Sequence, residues 1–427
     1  MNIENLHTLF LKCSSVCTDT RKITKNCMFF ALKGDNFNGN LFAKEAIEKG
    51  ALYTIVDEKG AVENDNYILV KDVLTTLQQL ARYHRLGLGL PIISLTGSNG
   101  KTTSKELINS VLQKKFKTVA TVGNLNNHIG VPLTLLSMTT EIEIGIVEMG
   151  ANHLKEIAFL CSIAQPDYGY ITNFGKAHLE GFGSVEGVIK GKSELYDHLK
   201  ENGKLIFINA NDEKQLTQLG DYSLFYSFGN DDSVNCKTEM ISANPMVVSE
   251  YENRTIKSNL IGAYNFNNIS AAIAIGQYFK VNSKDIKEAI ESYVPENNRS
   301  QIIEKGSLKI ILDAYNANPT SMKAALDNFS ELAAEKKIAI LGDMFELGKE
   351  AENEHQFIAD YASDLNIDLT YLVGENFYKT SANSLKAKTF KTFEALKAEL
   401  ESKTLKEATL LIKGSRGMAL ERVLNLF

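Results

Sequence analysis

Seven consecutive residues, Gly97-Ser98-Asn99-Gly100-Lys101-Thr102-Thr103, combine the groups that hold a polyphosphate. The two glycines let the backbone curl until its N–H groups face phosphate oxygens. Lys101 supplies charge for the β/γ-phosphates, and the Thr102 hydroxyl is a ligand for Mg²⁺. The spacing is T-G-x-N-G-K-T-T, shorter than the usual G-x-x-x-x-G-K-[ST], because position 95 is Leu. Such a loop works only between a strand and a helix, and the chain supplies both. The apolar run Ile92–Leu95 precedes it, and Leu107, Ile108, Val111 and Leu112 fall on one helical face after it. The N-terminus of that helix adds partial positive charge. Lys101 is expected on an exposed loop.

Other polar residues stand at the ends of apolar runs, where ligands of open α/β sheets bind. Ile144–Val147 ends in Glu148, a second candidate Mg²⁺ ligand near the loop. Tyr168–Thr172 leads into a Gly-rich segment containing His178, read as a ligand. Lys309–Leu312 leads into a dense polar loop with Asp313, Asn316, Asn318 and Ser321, read as a binding edge. Gly342-Asp-Met and Lys413-Gly-Ser-Arg416 occupy equivalent places, so three polar strand ends should face the phosphate loop. Lys192 lies on a helical pattern and looks like any surface lysine. Gly181–Gly187 imitates a dinucleotide fingerprint, but it follows a loop and its third glycine is displaced, so nicotinamide binding is rejected. There is no N-K-x-D, H-E-x-x-H or G-x-S-x-G, which counts against a GTPase, a zinc protease and a serine hydrolase.

These groups need several elements to position them, and 427 residues exceed a single core. The expected fold is α/β in three domains: a small α/β N-terminal domain (1–88), a central P-loop parallel-sheet domain of ATPase type (89–296), and a Rossmann-like C-terminal domain (297–427). The central alternation runs through Ile92–Leu95, Val119–Thr121, Ile144–Met149, Tyr168–Thr172 and Leu205–Ile208. Tyr222–Ile261 reads as edge hairpins and Leu260–Gln277 as an Ala-rich helix. Gly87-Leu-Gly89 before Pro91 reads as a hinge. A net charge of −6 without a basic block gives no reason to expect nucleic acid. No apolar stretch is long enough to span a membrane, and the start Met1-Asn-Ile-Glu-Asn lacks signal-peptide features. Five cysteines without a C-x-x-C pair read as reduced thiols, so a cytoplasmic protein is expected.

Taken together, these motifs resemble those of the Mur ligases, ATP-dependent amide-forming enzymes of peptidoglycan precursor synthesis. The resemblance rests on Thr96–Thr103, Gly123-Asn-Leu-Asn-Asn-His-Ile-Gly-Val-Pro132, Glu148-Met-Gly, the Asn173–Gly183 loop and Gly262-Ala-Tyr-Asn265-Phe-Asn-Asn268. It continues through Arg299, Asp313–Met322, Gly342-Asp-Met and Lys413–Arg416, and Thr18-Asp-Thr-Arg21 with Phe29–Asp35 extends it over the whole chain. Tyr264 departs from the His common in the family. Asn-Leu-Asn-Asn, Asp-x-Tyr-Asn-Ala-Asn-Pro and Gly-Asp-Met-x-Glu-Leu-Gly are most similar to the member that joins D-Ala-D-Ala to UDP-muramoyl-tripeptide. The resemblance implies ATP and two Mg²⁺ ions, the second held by His178 and a carbamylated Lys192. It implies Asn268 near adenine, Asp313 at the ribose and Arg299 at the γ-phosphate, with Lys101, His178, Lys192 and Arg299 catalytic. Thr20, Arg21, Asn124, Asn126 and Asn127, with Asn316, Asn318 and Ser321, become candidate substrate contacts, the N-terminal domain taking the UDP-muramoyl-tripeptide. A monomer acting on small molecules is expected. The alternatives are a related amide ligase, such as a folylpolyglutamate synthase-like enzyme, and a non-catalytic ATP-binding regulator.

Overall fold

The computed structural model describes residues 1–296, 298–381, 386–403 and 405–427. Within them, three parallel-stranded layers follow one another along the chain. The first sheet pairs Val16–Cys17, Met28–Phe30, Tyr53–Val56 and Tyr67–Leu69 in that order, all parallel. Alternate side chains feed opposite faces, as the two-residue strand period demands. Met28 and Phe30 join Leu6, Phe10 and Leu77, whereas Phe29 packs with Ala43 and Ala46 on the other side.

The long helix Val73–Leu88 closes this domain and docks it on the next. Its Leu77, Leu80 and Ala81 share one core with Val131, Leu135 and Leu160 of the central domain. Arg85 is buried, and its guanidinium donates to the Ala164 and Gln165 carbonyls and to Asp167 at 2.7 Å. The expected hinge is therefore a locked joint. Gly87 lies inside the last turn, and Gly89 is the left-handed C-cap (φ 63°) that stops the helix.

The central sheet is parallel throughout. Its order is Cys236–Lys237, Phe225–Gly229, Leu205–Asn209, Tyr168–Ile171, Ile92–Thr96, Ile144–Glu148, Thr118–Ala120. Phe225–Gly229 and Cys236–Lys237 thus extend the sheet instead of forming hairpins. A short helix missed in the sequence, Glu213–Leu219, makes the crossover, capped by the Asp212 carboxylate on the Lys214 and Gln215 N–H groups. Only Glu239–Ala243, Met246–Tyr251 and Arg254–Ile261 form the expected antiparallel ribbon. Leu260 and Ile261 end its last strand, so the Ala-rich helix begins later, at Asn265.

The C-terminal sheet runs Gln301–Lys305, Leu308–Asp313, Ala408–Lys413, Lys337–Gly342, Leu369–Val373, Ala387–Phe390, antiparallel only at its first strand. Between the second and third domains, Asn298 (φ 59°) and Ser300 (φ 50°) take the left-handed conformation on either side of Arg299. The boundary expected at 296/297 falls on residue 297, outside the described residues.

Candidate active site

Sheet order decides where the chemistry converges. Ile92–Thr96 lies between Tyr168–Ile171 and Ile144–Glu148, so three carboxyl ends meet, with Leu95 level with Glu148 and Thr96 level with Ile171. The phosphate loop leaves from the middle strand, and its shape is set by its neighbours. A Cβ on Gly97 (φ 145°) would fall 2.0 Å from Thr172 Oγ1, and one on Gly100 (φ 78°) 2.6 Å from Asn268 Oδ1. Ser98 N–H donates to the Asn173 carbonyl and Asn99 N–H to Asn173 Oδ1, both at 3.1 Å. Ser98 Oγ donates to the Gly175 carbonyl at 2.9 Å. Asn173, a brace that sequence reading passed over, is signalled only by its place directly after a strand end.

Lys101 is not on an exposed loop. It is the first residue of the helix Lys101–Leu112, half-buried, and its Nζ folds back to donate to the Gly97 carbonyl at 2.7 Å. Burial lowers its pKa; Glu148 opposes that shift and Arg299 adds to it. Thr102, buried beside Thr103, donates its hydroxyl to Glu148 Oε2 at 3.0 Å. Asn126 Nδ2 donates to the other Glu148 oxygen at 2.8 Å. A hydroxyl and a carboxylate in contact at the foot of a phosphate loop are the hard oxygen donors that Mg²⁺ prefers.

The facing wall belongs to the C-terminal domain. Asp313 accepts from Lys413 Nζ and from the Ser300 N–H. The Arg299 guanidinium lies 3.6 Å from the Tyr315 ring centroid. The Asn316 side chain accepts the Ala317 N–H at 2.9 Å. Asn318 and Ser321, expected as substrate contacts, form the reciprocal capping box of the helix Pro319–Glu331. That leaves the Asn318 amide free to donate to Asn99 Oδ1 at 2.7 Å, joining the two loops across the cleft. Asn268 is held by Ser104 and Asn265, and Asn127 caps the turn into Gly130.

Together these groups surround a cavity of 1070 Å³. Its lining includes Ser98 through Thr103, Asn124, Asn126, Asn127, Glu148, His178 and Asn268, and, from the other domain, Arg299, Asp313, Asn316, Asn318 and Ser321. Four expected residues lie elsewhere. Gly97, at the start of the phosphate loop, does not line the cavity. Thr20 and Arg21 sit on a surface turn of the first domain, where Asp19 holds the Arg21 guanidinium at 2.7 Å. The first domain touches the rim instead, through Gln78 Nε2 donating to the carbonyl of the lining residue His128 at 3.0 Å. Lys192 is fully buried within Val185–Glu201, one layer behind the wall, and its Nζ donates at 2.9 Å to the carbonyl of Ala151, which does line the cavity. Burial, then the charge of Lys101, drives its pKa well below the ordinary lysine value.

His178 opens the short helix Leu179–Phe182 in a left-handed conformation (φ 54°). Its Nδ1 is enclosed and abuts the Glu346 carboxylate of the other domain, close but out of line for a hydrogen bond. The pairing lowers the Glu346 pKa.

Comparison with known proteins agrees along the whole chain. The Mur ligase family, catalytic domain, matches residues 12–87; the Mur ligase middle domain matches 95–276; the Mur ligase, glutamate ligase domain, matches 298–416. The UDP-N-acetylmuramoyl-tripeptide--D-alanyl-D-alanine ligase of Bacillus subtilis (strain 168) is 37% identical over 425 residues, 96% of this chain and 92% of that one. Among solved structures, MurF from Acinetobacter baumannii superposes with a TM-score of 0.87 at 28% identity, covering 99% of this chain and 98% of that one. MurF ligase from Thermotoga maritima in complex with ADP gives 0.84 at 28% identity, covering 98% and 97%. With all three of its domains matched and a relative this similar over nearly its full length, the chain belongs to the Mur ligase family.

Proposed function

We propose that this protein is the ATP-dependent ligase that joins D-alanyl-D-alanine to UDP-N-acetylmuramoyl-tripeptide in peptidoglycan synthesis. The observation that carries the reading is the single cavity in which a phosphate loop faces the polar strand ends of a second domain, linked by Asn99 and Asn318. A peptide carboxylate is a poor acyl donor, so ATP phosphorylates it. The acceptor amine then attacks the acyl phosphate, and phosphate leaves. Transfer between two anions demands positioning and charge neutralisation. Lys101 serves the β/γ-phosphates and Arg299 the γ-phosphate, while Asn268 and Asp313 hold the nucleoside. Thr102 and Glu148 would hold one Mg²⁺ and His178 with carbamylated Lys192 the second; the ions supply neutralisation of the phosphates and of the substrate carboxylate.

Carbamylation needs a neutral amine, since Nζ must offer its lone pair to CO₂ and lose a proton as the N–C bond forms. The burial and lowered pKa of Lys192 favour that form. The related-ligase alternative is disfavoured by the 37% identity to a ligase named for D-alanyl-D-alanine. A non-catalytic regulator has no use for polar residues on both walls. The reading takes the protein to act on small molecules as a monomer. No helix among the described residues is long and apolar enough to cross a membrane, in keeping with work in the cytoplasm on soluble precursors.

The test is phosphate release with ATP and UDP-muramoyl-tripeptide, with and without D-Ala-D-Ala. Sustained release should require the dipeptide and yield the UDP-muramoyl-pentapeptide. Equal turnover with glutamate as the acceptor would contradict the assignment.

A further inference from the structure

Glu346 has no part in the roles above, yet its position is closely specified. It follows the strand Lys337–Gly342 and takes a left-handed conformation (φ 62°), uncommon for a glutamate. The turn is pinned on both sides. Met344 N–H donates to His355 Nε2 and Phe345 N–H to Ser415 Oγ, both at 2.9 Å. The Glu346 carbonyl accepts the Glu180 N–H of the central domain at 3.1 Å. That interdomain bond sets the Glu346 side chain against His178.

The other carboxylates lining the cavity are already engaged. Glu148 takes Thr102 and Asn126, Glu156 takes the Asn152 and His153 N–H groups, and Asp313 takes Lys413 and Ser300. Among the described residues, Glu346 has only His178 as a side-chain partner.

We infer that Glu346 is a positioning residue for the second Mg²⁺ site: a small turn of the imidazole brings His178 Nδ1–H into line with the carboxylate it already touches, which fixes that tautomer and leaves Nε2 as the nitrogen that binds the ion. The inference rests on the metal role proposed for His178. A metal-binding imidazole ordinarily donates its other N–H to a carboxylate or carbonyl, which orients the ring and raises its basicity. Here Nδ1 already lies against a carboxylate, so the free lone pair belongs to Nε2. The carboxylate comes from the C-terminal domain and the imidazole from the central one. The second site is therefore complete only when the two domains are together, and ion binding and closure favour each other reciprocally.

The test uses Mn²⁺ as a paramagnetic stand-in for Mg²⁺, titrated into the full chain with a non-hydrolysable ATP analogue and UDP-muramoyl-tripeptide, and read by electron paramagnetic resonance. His178→Ala should remove the second site. Glu346→Ala should weaken it about 10- to 100-fold, the usual loss for such partners. Glu346→Gln, which keeps an acceptor oxygen without the charge, should fall between. The double variant should be no worse than His178→Ala alone, and the site at Thr102 and Glu148 should be unchanged throughout. If His178→Ala loses the second site while Glu346→Ala keeps it and instead raises KM for D-Ala-D-Ala, the inference is overturned and Glu346 seats the acceptor amine. If His178→Ala binds Mn²⁺ like the parent protein, the metal role of His178 is wrong and the inference falls with it.

Discussion

At the scale of single residues, Lys101 and Lys192 show how far side-chain chemistry can be read from a sequence. Lys101 was singled out because a lysine after Gly100 and before Thr102 has one well-understood use. Its conformation was not legible, since nothing in the spacing says that Nζ turns back onto the Gly97 carbonyl. Lys101→Ala should cut ligation by about 10²-fold or more, the scale of a lost electrostatic group, while the unfolding temperature barely moves. Near-normal turnover in a coupled phosphate assay would remove Lys101 from the phosphate site. Lys192 was singled out only by resemblance, because complete burial inside a helix leaves no local signature. Its lowered pKa has a thermodynamic consequence. Between that value and the ordinary lysine value, the unfolded chain binds a proton that the folded chain does not, so this lysine's contribution to stability rises with pH. In CO₂-free buffer the parent protein should therefore lose stability relative to Lys192→Met as pH falls from about 10 towards 7. Urea denaturation at several pH values reads this directly, and parallel profiles would show that the amine is not held neutral.

At the scale of elements, the strands announced themselves through apolar runs ending in polar residues, and most lie within a residue or two of expectation. The failures have physical causes. Phe225–Gly229 was taken for a hairpin arm because its partner, Leu205–Asn209, is reached through a helix of under two turns that carries little periodicity. Gly87 and Gly89 were taken for a hinge because sequence cannot show Arg85 spanning the joint. Thr20 and Arg21 matched a motif, and the turn that carries them does not line this cavity. Asn318 carries two duties that a single substitution separates. Asn318→Asp keeps the oxygen that caps Pro319–Glu331 but replaces the amide that donates to Asn99 with a second acceptor. Thermal stability should stay within about 0.5 kcal/mol, whereas Asn318→Ala should cost about 1 kcal/mol as the cap is lost. Both should slow ligation. Full activity in Asn318→Asp would mean that the bond across the cleft is dispensable.

At the scale of the whole molecule, the central and C-terminal domains are clasped around the cavity. Lys176 donates its N–H to Thr320 Oγ1 at 2.9 Å and pairs through Nζ with the largely buried Glu354 at 2.6 Å, close to the Asn99–Asn318 bond. A reactive acyl phosphate needs this enclosure, because water competes with the amine. Lys176→Ala should shift the nucleotide-bound protein towards a larger radius of gyration in X-ray scattering and raise phosphate release without ligation. An unchanged radius together with tight coupling would place the clasp elsewhere. Part of the apolar face of Val73–Leu88 packs within its own domain, and the rest is covered by helices that belong to the next domain, Gly130–Leu136 and Glu156–Ala164. During translation at roughly 5–20 residues per second, Leu77, Leu80 and Ala81 leave the ribosome on the order of ten seconds before that cover exists. The nascent N-terminal domain therefore waits, with part of its apolar surface uncovered, until the helices of the central domain have been made.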